Sequence, residues 1–208
     1  MWAFTRKTKK ESFLREKCCC KKIMIIFNSI KNIIISDPTV VVIGKFDGVH
    51  LGHQKLIKTA CRVRDGLKGG AKTCVVLLKE NGPVPPILSE EDRETKLRMC
   101  GANYVVNCEL NDELRRVSAK EYLSEVLIKK LGAKAIVAGP DVSFGCMGAG
   151  NAQFLKEKEE EYGYRFVLIE KETYKGSEIS SSRIRECLLR GEKEDAEIML
   201  GMRKKISH

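Results

Sequence analysis

The 208-residue sequence contains no apolar run long enough to cross a bilayer. Its most apolar stretches, Ile33-Ile34-Ile35 and Val40-Val41-Val42-Ile43, fall far short of the roughly 20 residues a spanning helix needs. The apolar patch Ile23 to Phe27 behind the basic N-terminus is too short for a signal-peptide core and has no cleavage site. Nine cysteines are present, but no Cys-x-x-Cys pair, and Cys18-Cys19-Cys20 are contiguous, a poor arrangement for a tetrahedral metal site. These absences exclude a membrane-spanning protein and a secreted disulfide framework. The expectation is a cytoplasmic protein with reduced, incidental thiols, lipidation or metal binding at Cys18 to Cys20 being the minor alternative. Histidine is scarce, with three in the chain, and no internal repeat or low-complexity tract occurs beyond the leader.

What is present is enough for a core: 43% hydrophobic and 32% charged residues, with a mean hydropathy of −0.24. That length fits one α/β domain with at most an appendage. The net charge of +10 is concentrated at one end. Residues 1–22 hold eight positive side chains against Glu11 and Glu16, which accounts for +6 and leaves +4 for all the rest. The body is thus mildly basic, suited to anionic nucleotides. A nucleic-acid-binding role would rest on the basic leader alone, and no nucleic-acid partner is expected. Residues 1–22 read as a disordered extension and 23–208 as the folded domain, with Met24 a candidate native start.

Along that domain, strand and helix patterns alternate. Val40 to Ile43, Thr73 to Leu78, Tyr104 to Val106, Ala135 to Ala138 and Phe166 to Ile169 read as strands. Between and after them, helices are expected over Leu51 to Arg64, Ser89 to Cys100, Ser118 to Leu131, Ala152 to Tyr162, Ser182 to Leu189 and Glu192 to Leu200. Ser89 with Asp92 and Ser118 with Glu121 have the spacing of capping boxes. Alternation of this kind predicts an α/β fold with a parallel sheet and helices on both faces. In such sheets ligands sit at the carboxyl ends of the strands.

Three clusters follow expected strands. In Gly44-Lys45-Phe46-Asp47-Gly48-Val49-His50-Leu51-Gly52-His53, the glycines permit a tight turn and close backbone approach. His50 and His53 project from one face of a helix start, where the dipole favours an anion. In Gly139-Pro140-Asp141-Val142-Ser143-Phe144-Gly145, a carboxylate at a strand end can accept bonds from a ribose or base, or orient a metal; an ordinary Asx loop is the plainer reading. In Ile179-Ser180-Ser181-Ser182-Arg183-Ile184-Arg185, hydroxyls and free amides at a helix start make an anion cradle that arginine can clamp. Simple capping by serine explains part of it equally well.

In this order the clusters resemble the marks of the nucleotidyltransferase superfamily, H-x-G-H and a later Ile-Ser-Ser-Thr-x-x-Arg. More closely, the chain is similar to the FMN adenylyltransferase (FAD synthetase) module of prokaryotic bifunctional riboflavin kinase/FAD synthetases, from about Ile25 to Arg203. Leu88 to Asp92, Ser118 to Leu123, Lys130 to Lys134, Glu161 to Gly163 and Met199 to Arg203 agree as well. The resemblance implies a Rossmann-like nucleotidyltransferase fold and transfer of AMP from Mg-ATP to FMN, giving FAD and pyrophosphate without a covalent intermediate. His50, His53 and Arg185 would be catalytic. Gly44, Phe46, Asp47, Gly48, Gly52, Gly139, Asp141, Phe144, Gly145, Ser180, Ser181 and Ser182 would form the nucleotide site. Mg2+ would arrive with ATP, with no protein metal site, and a riboflavin kinase domain is expected to be absent.

Ser182 stands where the family has threonine, and Lys45 where it has asparagine or threonine. The stretch Leu78 to Pro86 is shorter than the family's flavin-binding loop and lacks its aromatic residue and histidine. Alternative readings are an adenylyl- or cytidylyltransferase for another phosphorylated acceptor, and a non-catalytic flavin- or nucleotide-binding module.

Overall fold

The computed structural model describes residues 23–79 and 84–202. The basic leader at 1–22, residues 80–83 of the proline-rich stretch, Arg203 and His208 lie outside the described residues. Strands β1 (Ile25–Phe27) and β2 (Thr39–Gly44) come first, and β2 leads through a 3-10 turn at Asp47–Val49 into α1 (Leu51–Asp65). Then follow β3 (Lys72–Lys79), α2 (Glu90–Cys100), β4 (Tyr104–Glu109) and a short α3 (Asp112–Arg116). α4 (Ala119–Glu121) continues as a π-helical stretch, Tyr122–Lys130, and is followed by β5 (Ala133–Ala138). α5 (Ala152–Glu157), α6 (Glu159–Tyr162) and β6 (Arg165–Leu168) lead to a small hairpin, β7 (Thr173–Tyr174) and β8 (Ser177–Glu178). α7 (Ser181–Leu189) and α8 (Lys193–Met199) close the described chain.

The six-stranded sheet has the order β1-β4-β3-β2-β5-β6, and every pair in it is parallel. From β2 the chain steps outward through β3 to β4, then returns to the other flank of β2 with β5. The switch point of this doubly wound α/β sheet therefore lies between β2 and β5, whose carboxyl ends diverge into loops. Both faces are covered, which explains the unbroken apolar runs in β2 and β3. Val40 and Val42 pack with Ile57, Ala60 and Leu97 from α1 and α2. Val41 and Ile43 pack on the opposite side with Tyr122, Leu123 and Leu127 of the π-helix and Leu155 of α5.

The serine caps at Ser89 and Ser118 form as their spacing predicts, and Ser180 caps α7, which starts one residue earlier than expected. Ser89 Oγ accepts from Asp92 N at 3.1 Å, Ser118 Oγ from Glu121 N at 3.1 Å and Ser180 Oγ from Arg183 N at 3.2 Å. Two expectations are corrected. The helix over Ala152 to Tyr162 breaks at Lys158, where ψ is 3°. The helix ending at Leu131 is mostly π-wound, with Leu131 N bonded to the Val126 carbonyl at 3.0 Å. β1, α3 and the β7–β8 hairpin are too short for a periodic signal.

Gly132 and Gly163 both end helical segments at φ 65°. A Cβ on Gly132 would lie 2.8 Å from the Asp37 carbonyl oxygen, whereas one on Gly163 would meet nothing within 4 Å. Gly163→Ala is expected to cost about 1 kcal/mol, from the left-handed backbone alone. Gly132→Ala is expected to cost clearly more, and equal losses in denaturant unfolding would contradict this.

Candidate active site

β2 ends at Gly44 because the ring of the following Phe46 folds back over it; a Cβ there would sit 3.2 Å from Phe46 Cε2. Phe46 is fully buried at φ 48° and packs on the His53 ring, centroids 4.9 Å apart. Gly48 turns at φ 79°, and Val49, buried and β-branched, is held at φ 43°. A valine in this region is strained. The turn then delivers His50 as the N-cap of α1.

His50 and His53 stack, with ring centroids 3.7 Å apart and planes inclined by 18°. His50 Nδ1 accepts a 3.4 Å bond from the His53 backbone N–H, so the neutral ring carries its proton on Nε2. Gly52 makes room for this arrangement, since a Cβ there would lie 3.2 Å from the His50 ring. Burial holds His50 down to about pKa 4, against the opposing pull of Asp47 and Asp141 and with some help from Lys96. Burial, and then the neighbouring His50, hold His53 well below the ordinary histidine value. Both are thus neutral donors at pH 7. Nδ1 of His53 is buried without a hydrogen-bond partner among the described residues.

The histidines line a cleft of about 420 Å³ at the switch point of the sheet. Gly44, Lys45 and Gly52 share that wall, Gly139 and Asp141 enter from the loop after β5, and Ser180 and Ser181 from the start of α7. Two helix N-termini therefore meet in one cavity, a geometry made for anions. Glu170, Lys171 and Glu172, beyond β6, complete the floor with Leu56 and Ile169. The sequence carried no signal for these, because they follow a short edge strand without glycine or a recognisable motif.

The remaining expected residues shape the cleft without lining it. Phe144 is buried against Tyr122 and Phe154, and Gly145 (φ 72°) leaves room for the Ala119 backbone, which a Cβ would approach to 2.7 Å. Asp47 accepts from Ile87 N at 3.0 Å and from Arg185 through its carboxylate, and from Ser181 Oγ at 2.9 Å through its carbonyl. Arg185 also donates to the Pro85 carbonyl at 3.1 Å, so its guanidinium joins α7 to the turn and to the approach of α2. Ser182 is exposed one position further along α7.

A family model of FAD synthetase matches residues 33–183. The chain belongs to the FAD synthetase family. It is 33% identical over 176 residues to the bifunctional riboflavin kinase/FMN adenylyltransferase of Buchnera aphidicola subsp. Schizaphis graminum, covering 80% of this chain and 56% of the relative. The Escherichia coli K12 protein of the same name is 30% identical over 173 residues, 78% of this chain and 54% of its own length. The chain thus spans little more than half the length of these curated relatives. A solved macrolide-efflux protein from Streptococcus pneumoniae superposes with a TM-score of 0.74 at 29% identity, covering 86% of this chain and 60% of its own. The pantoate-beta-alanine ligase of Francisella tularensis, at 13% identity and a TM-score of 0.52, shares the fold alone over 85% of this chain and 78% of that one. These relations agree with the Rossmann-like α/β expectation.

Among the described residues no helix is long and apolar enough to cross a membrane, and no group of three His, Cys, Asp or Glu is placed to hold a metal.

The buried histidine sets a pH dependence. Between pH 6.5 and about 4 the unfolded chain protonates this ring while the folded one refuses the proton, so stability falls as pH falls through that window. His50→Gln is expected to make the slope of Tm against pH shallower across it, leaving the share that His53 contributes. An unchanged slope would show that His50 takes up protons equally in both states.

Proposed function

We propose that the cleft binds ATP and FMN and transfers AMP to the FMN phosphate, releasing pyrophosphate and FAD. The observation that carries this reading is the meeting of two helix N-termini, one bearing the stacked His50 and His53 and the other Ser180 and Ser181, at the switch point of a parallel sheet. Family membership supports the choice of nucleotide and acceptor.

In the proposed reaction an oxygen of the FMN phosphate attacks the α-phosphorus of ATP. The bond from that phosphorus to the bridging oxygen breaks, and pyrophosphate leaves with the electron pair. No protein nucleophile is required, so catalysis rests on positioning and on charge stabilisation. The neutral imidazoles offer N–H donors to phosphate oxygens without needing to be charged. Ser180, Ser181 and the free amides of α7 would grip the remaining phosphates. Mg2+ would travel on the triphosphate, held by phosphate oxygens and a single cleft carboxylate such as Asp141, since a hard cation of this kind needs no complete set of protein ligands. Bound there, Mg2+ would supply neutralisation of phosphate charge.

The test is incubation with Mg-ATP and FMN, with FAD followed by chromatography. Accumulating FAD is the expected result. Its absence, while another phosphorylated acceptor is consumed, would reassign the acceptor, and binding of nucleotide without any turnover would reject catalysis altogether. His53→Ala is expected to lower kcat by about a hundredfold or more, the loss typical of a transition-state donor. An unchanged rate would remove His53 from the mechanism.

A further inference from the structure

Val49, immediately before the stacked histidines, occupies a backbone conformation that β-branched residues avoid. Something must hold it there. Its carbonyl accepts a 3.0 Å hydrogen bond from Nε2 of Gln54, one turn along α1. The same amide group donates at 3.1 Å to the carbonyl of Leu200, at the end of α8. Lys96 of α2 donates to that Leu200 carbonyl as well, at 2.8 Å. Gly201, at φ 70°, leaves space for the Gln54 side chain; a Cβ on it would lie 2.8 Å from the amide nitrogen. Gln54 lines no part of the cleft, so these contacts account for its amide without a substrate.

We propose that Gln54 is a positioning residue for adenylyl transfer: its amide clamps the strained Val49 peptide against the end of α8 and so sets the orientation of His50 and His53. A primary amide suits this task because it offers two N–H groups to two carbonyls at once. Lys96 reaches only the Leu200 carbonyl, so it docks α8 without touching the strained peptide. The two residues share an acceptor but differ in what they should do to catalysis.

The proposal rests on the adenylyltransferase reading for its kinetic arm, while its spectroscopic arm needs no acceptor. Gln54→Met keeps the side-chain length and removes both donors. In the ring carbon–proton NMR spectrum the chain's three histidines give few signals, and Gln54→Met is expected to move those of His50 and His53. FAD formation should fall about tenfold in kcat with KM for ATP within about twofold, as expected for misplaced donors. Lys96→Arg, which keeps the charge that acts on His50 but alters the bond to the Leu200 carbonyl, should lower Tm while leaving kcat within about twofold. If Gln54→Met cannot be purified folded, Gln54→Asn withdraws the same amide by one methylene and carries the same test. Ring signals and kcat unchanged in the Gln54 variant, or an equal kcat loss in Lys96→Arg, would overturn the proposal. Moved ring signals with no FAD formed by the unmodified protein would uphold the clamp and reject the FMN reading instead.

Discussion

The cleft depends on what Asp47 holds together. Its carboxylate takes the backbone of Ile87 and the guanidinium of Arg185, and its carbonyl takes the hydroxyl of Ser181. Two segments, the approach to α2 at Ile87 and helix α7, lying 40 and 134 to 138 residues away in sequence, are thereby fixed to one turn. Without that carboxylate α7 would keep only the Ser181 hydroxyl on the backbone carbonyl as a polar tie to the histidine turn, and the serine cradle would be held less firmly opposite the imidazoles. A half-buried carboxylate satisfied by a backbone amide and a guanidinium is a directional constraint, and apolar packing alone offers no substitute for it.

Around that junction the site shows a division of labour. Gly44, Gly52, His50, His53, Gly139, Asp141, Ser180 and Ser181 face the cavity, whereas Phe46, Gly48, Phe144 and Gly145 give the loops their shape. Both groups belong to the same short motifs, because a loop that brings backbone amides close to phosphate must be tightly turned and its turn must be packed. The strain at Phe46 and Val49 is the local consequence, sustained by burial on every side. Burial also keeps the imidazoles neutral, which makes them donors whose hydrogen bonding does not vary across the physiological pH range.

Much of this was legible in the residues. The apolar runs of β2 and β3, the serine caps at 89 and 118, and the glycine-spaced histidine turn all carry local signals, since strand burial and helix capping depend on neighbours a few positions away. β1, α3 and the β7–β8 hairpin were not legible, being too short to show a period. Nor was the π-winding after Glu121, which alters hydrogen-bond register without altering the apolar pattern.

By itself the sequence determined the alternation of strands and helices, the three motif clusters that follow strands and the family they resemble, because each rests on contacts within a dozen residues. Only the tertiary structure decided that Arg185 is joined to Asp47, that Gln54 and Lys96 meet at the Leu200 carbonyl, and that residues 170–172 reach the same cleft. Those facts follow from the order in which strands β2, β5 and β6 pair and from where α7 and α8 pack. Pairing of that kind is a long-range choice, settled by burying two sheet faces at once, and no local pattern records it.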